Sequence, residues 1–117
     1  MLLRHAKSSW DNVNLDDIDR PLSKRGVYSA NIMQSFIEEN YQHYSLNVYS
    51  SLSQRTKSTC EIVFPKKSKV KYDQQLYTFD FQDLLVWLKK EKKNGRMTGT
   101  RLFIFRLVLS RHWSIQK

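Results

Sequence analysis

Apolar residues return every three or four positions from Val27 onward: Ala30, Met33, Phe36 and Ile37 would line one face of a helix. Ser23 stands where an N-cap belongs, and the pattern fades near Asn40. Leu46, Val48 and Tyr49 then predict a strand of about five residues. Ser51 to Ser53 form a turn and cap, and residues 55–64 read as a second helix with Thr59, Ile62 and Val63 inward, stopped by Pro65. A short strand is predicted over residues 69–72. Asp80 would cap a third helix with an apolar face of Phe81, Leu84, Leu85 and Leu88, Trp87 also being core, and Asn94-Gly95 would break it. Residues 101–109, rich in β-branched and aromatic side chains, predict a buried strand that takes in Phe103 and Phe105. Residues 1–4 fit the end of another strand, and the polar residues 5–22 a loop. Strands and helices alternate throughout, which predicts an α/β fold on a mainly parallel sheet with right-handed crossovers.

Length and composition narrow the reading. The 117 residues suit one domain, and 40% apolar content with three Gly and two Pro argues against wholesale disorder. The single Cys60 excludes an internal disulfide framework and a Cys-based zinc site, fits a reducing compartment, and is expected to be a small buried residue. The longest mostly apolar run, residues 102–109, is broken by Arg106 and is far short of the about 20 residues a membrane span needs. Arg4-His5 follows after three residues, leaving no room for the apolar stretch of a signal peptide. A small soluble cytoplasmic protein is expected.

Charge is unevenly placed. The formal net charge is +9, and residues 89–117 hold nine basic residues against the single acidic Glu91. Such a segment could grip a phosphate backbone, with Trp113 and Phe103 or Phe105 as stacking surfaces. A solvated run is the simpler reading, and nucleic acid is not the expected partner. Lys66, Lys67, Lys69 and Lys71 read as a solvated turn and strand edge, and His43 as a surface residue.

Ligands of parallel α/β sheets bind beyond the carboxyl ends of the strands. Two predicted strands run into polar turns that carry an Arg: Leu3-Arg4-His5, and Tyr49-Ser50-Ser51 leading to Arg55. Guanidinium groups match phosphoryl oxygens with planar paired donors and stay charged at any working pH. A neutral imidazole in line with phosphorus can attack it, forming a covalent phosphohistidine that water later cleaves. The helix after Ser53 would add backbone N–H donors. With two guanidinium groups supplying the electrostatics, neither a metal nor another cofactor is needed.

The segment Leu2-Leu3-Arg4-His5-Ala6-Lys7-Ser8-Ser9-Trp10 resembles the opening motif of the histidine phosphatase superfamily, the phosphoglycerate mutase-like proteins. Asp19-Arg20-Pro21-Leu22-Ser23-Lys24-Arg25-Gly26 is similar to the SixA-type phosphohistidine phosphatases within it. Two further blocks follow in family order: Val48 to Thr59, with Arg55, and Leu76-Tyr77 followed by Asp83-Leu84-Leu85. The resemblance covers roughly residues 1–105 and implies a three-layer sandwich, incomplete at the C-terminus. It implies His5 as nucleophile, Arg4 and Arg55 as the phosphate clamp, and a phosphohistidine-containing protein or small phosphorylated molecule as substrate, in signal transduction. Phosphohistidine is a reactive phosphoramidate that depends little on a dedicated acid, so Asp11 is expected to stabilise its loop rather than donate a proton.

One family feature is missing. A second His belongs after the fourth strand in a Gly-His-Asn-Pro-like turn, whereas here Arg106-Leu107-Val108-Leu109-Ser110-Arg111-His112-Trp113 follows, and His112 does not take the role. The expectation is a phosphatase-like domain over residues 1–105 and a divergent basic tail over 106–117, from a truncated or frame-shifted copy of a longer gene. Impaired turnover is expected, with a catalytically inactive phosphate-binding or phosphoprotein-binding domain as the alternative.

Overall fold

A computed structural model describes residues 2–43, 46–65, 70–77, 81–93 and 101–106; for 2, 81 and 101–106 the description is of the backbone. Asp80, Asn94-Gly95, Lys66, Lys67, Lys69 and the 107–117 part of the basic tail, with His112 and Trp113, lie outside the described residues, as do the side chains of Phe103 and Phe105.

Among the described residues, four strands, β1 (Leu2–Arg4), β2 (Leu46–Ser50), β3 (Val70–Tyr72) and β4 (Arg101–Arg106), alternate with three helices, α1 (Lys24–Tyr41), α2 (Gln54–Val63) and α3 (Phe81–Lys93). The sheet order is β1-β4-β2-β3, and all three pairings are parallel. The last strand among the described residues therefore lies inside the sheet, with Ile104 paired to Leu2 on one side and Tyr49 on the other.

Because successive strand residues face opposite ways, β2 serves two cores. Leu46 and Val48 pack with Ala30, Ile37, Cys60, Val63 and Phe64 from α1 and α2. Tyr49 packs with Leu76, Leu84 and Trp87 on the α3 side. The result is helix, sheet, helix, the layering expected for a parallel sheet buried on both faces. The Tyr49 and Trp87 rings meet edge to face at 5.1 Å.

Ser23 caps α1 by accepting from the Gly26 amide, and Ser53 caps α2 by accepting from the Thr56 amide. The predicted α1 face needs correcting at two positions. Ala30 and Ile37 are buried and Met33 partly so, whereas Val27 is 41% exposed and Phe36 47% exposed. At 100° per residue Phe36 lies about 120° round the helix from Ala30, and its ring rests against Tyr41 instead. Lys71 and His43 are exposed, and Cys60 is buried.

Candidate active site

His5 follows β1, and Arg55 opens α2 just beyond β2. With β4 between them, the two strand ends are about 10 Å apart, a gap that their connecting segments close. The Ala6 amide donates to Thr59 Oγ1 at 3.1 Å, and the Thr59 hydroxyl donates to the Arg55 carbonyl at 2.7 Å. These two bonds tie the His5-Ala6 turn to the first turns of α2.

The His5 ring is partly buried, with Nδ1 at 2.6 Å from the Ala6 carbonyl oxygen. A carbonyl can only accept, so Nδ1 carries the proton and Nε2 keeps its lone pair. Burial pushes the imidazole pKa down to about 4; the Ala6 bond opposes this, and the nearby charges of Arg55, Arg4 and Arg20 add to it. The ring is thus neutral at pH 7 amid three guanidinium charges. Arg4 is exposed, at the carboxyl end of β1.

Arg55 is 2% exposed. Its guanidinium donates through Nη1 to the Asp17 carbonyl and through Nη2 to Asp17 Oδ2 at 2.8 Å. The same carboxylate accepts from the Tyr77 hydroxyl at 2.7 Å and from Arg20 Nη1 at 3.3 Å. Partial burial works to raise the Asp17 pKa, but the bonds from Arg55, Tyr77 and Arg20 and the Arg55 charge hold it below the usual value. Burial, together with the Asp17 bond and charge, pushes Tyr77 up to about 12, so its hydroxyl remains a donor.

Arg20 is engaged at each of its three guanidinium nitrogens. It donates from Nε to the Ser9 carbonyl at 3.2 Å and from Nη2 to Ser8 Oγ at 2.7 Å, and lies 3.1 Å from the centre of the Trp10 ring. Sequence reasoning missed the parts played by Arg20, Asp17 and Tyr77, although Arg20 and Tyr77 stood inside the quoted blocks. Asp11 is exposed, and its amide donates to Ser9 Oγ at 3.1 Å. At the start of α2 the Thr56 amide is already taken by Ser53, so the helix terminus offers fewer donors than expected. Among the described residues, no group of three or more His, Cys, Asp or Glu is placed to hold a metal, and no helix is long and apolar enough to cross a membrane.

An arginine-flanked neutral histidine after the first strand of a parallel α/β sheet agrees with the sequence comparison: residues 1–95 match the histidine phosphatase superfamily, branch 1. The chain belongs to that superfamily. Among histidine phosphatase folds of known structure, it superposes on the SixA protein of Agrobacterium tumefaciens, one assigned as a phosphohistidine phosphatase. That match has a TM-score of 0.71 at 20% identity, covering 98% of this chain and 71% of the other. A protein histidine phosphatase SixA complexed with tungstate matches at 0.70 and 19% identity, over 93% of this chain and 68% of that one. At these identities the likeness is one of fold. The chain is also 69% identical over 30 residues to an uncharacterized chloroplastic protein of Arabidopsis thaliana, a stretch spanning 26% of this chain and 14% of that relative.

Proposed function

We propose that this histidine phosphatase superfamily member is a phosphatase that removes the phosphoryl group from a phosphohistidine-bearing protein, with His5 as nucleophile and Arg4 and Arg55 as the phosphate-binding pair. The observation that carries the reading is the His5 ring, held at Nδ1 against the Ala6 carbonyl so that Nε2 is the nitrogen left for phosphorus, beside the cationic groups a phosphoryl group needs. The tungstate held by a structural neighbour is a tetrahedral oxyanion like phosphate, and supports an anion site in this fold.

In the first step the Nε2 lone pair attacks phosphorus. The phosphorus–nitrogen bond to the substrate imidazole breaks, and that imidazole leaves with its electron pair and is reprotonated from solvent. Water then attacks the phosphorylated His5, releasing inorganic phosphate and restoring the ring. Arg4 and Arg55 neutralise the oxygens that gain charge in both steps.

The second family His has no counterpart after β4 in this sequence. Loss of one donor to the transition state costs ~10²–10³ in rate, so turnover is slow. The test is phosphate release from a phosphohistidine peptide, together with intact-mass detection of phosphorylated His5. Slow turnover abolished in His5→Ala is expected. Turnover unchanged in His5→Ala sinks the nucleophile assignment. The alternative, a domain that holds phosphate without chemistry, is favoured if oxyanion binding survives in His5→Ala and no phosphoenzyme forms.

A further inference from the structure

Three connections meet at one carboxylate. The 3-10 turn Asp17–Asp19 supplies Asp17, the first turn of α2 supplies Arg55, and Tyr77 follows the 3-10 turn Gln74–Leu76. We infer that Asp17 is a positioning residue of the phosphate site, aiming the Arg55 guanidinium by clasping it through both its main-chain carbonyl and its carboxylate, while Tyr77 and Arg20 hold that carboxylate in place. The inference rests on the phosphatase reading above and deepens it.

A long arginine side chain gives up much rotamer freedom when fixed, so a buried guanidinium points one way only if something makes it do so. Two donors of Arg55 are committed to Asp17. Its guanidinium carries five N–H groups; Tyr77 also lies within hydrogen-bonding reach of it, and the remaining donors can meet an oxyanion near His5. Arg20 differs: its Nε and both Nη atoms are bound to Ser9, Asp17 and Ser8, which makes it a brace for the 8–20 loop and for Asp17. Tyr77 adds a neutral donor whose removal changes no charge.

An opposing reading is that the Asp17 carboxylate competes with phosphate for Arg55. The two readings predict opposite signs. Tungstate and inorganic phosphate are titrated calorimetrically into the full chain and its variants, with a melting curve for each. With aiming, Asp17→Ala weakens both oxyanions about tenfold, since only the carbonyl contact survives, while Asp17→Asn, which keeps an acceptor, recovers most of the loss. A folded Asp17→Ala that binds as well as, or better than, the parent overturns the inference. Should Asp17→Ala fail to fold, Tyr77→Phe decides: a loss of about two- to threefold supports aiming, and unchanged affinity in a folded protein refutes it. Arg55→Ala separates the two levels. If it leaves oxyanion affinity intact, the phosphate-site reading fails and takes this inference with it. If it abolishes binding while Asp17→Ala does nothing, positioning alone fails.

Discussion

At pH 7 the His5 imidazole carries no charge, because taking a proton would mean leaving water and approaching Arg55, Arg4 and Arg20. The ring therefore titrates near pH 4 rather than 6.5 in the folded protein, which a histidine-resolved NMR titration checks. The sign for stability follows. Between pH 6.5 and about 4 the unfolded chain binds a proton that the folded chain refuses, so the contribution is fully present above 6.5 and is lost as the pH falls toward 4. Asp17, held below its ordinary value, acts in the same direction at still lower pH. A lower denaturation midpoint in urea at pH 4.5 than at pH 7 is expected, and His5→Gln should flatten part of that slope; an unchanged slope would count against a buried neutral ring. His5 and Arg4 were legible in the sequence because they are neighbours in it. Asp17 was not, because its partners Arg55 and Tyr77 lie 38 and 60 positions away and only the fold introduces them.

At the scale of elements, the entry to α1 is built around a close crossing. The Lys7 carbonyl accepts from the Ser23 amide at 2.8 Å and the Ser23 hydroxyl at 3.0 Å, and a Cβ on Gly26 would stand 2.1 Å from that same oxygen. Alanine in a helix is ordinarily worth about 1 kcal/mol over glycine. Here Gly26→Ala should instead destabilise by about 1–3 kcal/mol, as overpacked sites do, with the His5 turn displaced alongside Lys7; equal or higher stability in a denaturant titration would contradict the crossing. The Ser23 and Ser53 caps and the α1 and α2 helices were readable from local chemistry. The phase of the α1 face was less so, since Val27 and Phe36 fit the helical period but fall at the edges of the stripe centred on Ala30 and Ile37.

Over the whole molecule, alternation of strand and helix announced a parallel sheet, while the strand order was invisible. That order depends on which backbones pair, and no local pattern says that β4 inserts between β1 and β2. The insertion makes β4 the mechanical link between the His5 and Arg55 halves. Ile104→Pro removes a backbone donor from an internal strand, so loss of both cooperative unfolding and tungstate binding is expected. A variant that melts normally and still binds would place the coupling elsewhere.

The position of β4 also sets a timetable. On a translating ribosome, the segment bearing His5 emerges before the one bearing Arg55, yet neither β1 nor β2 has its shared neighbour until residues 101–106 leave the exit tunnel. Until then the sheet lacks the strand that sets β1 and β2 in register, so the ends bearing His5 and Arg55 come to neighbouring places only when β4 docks between them.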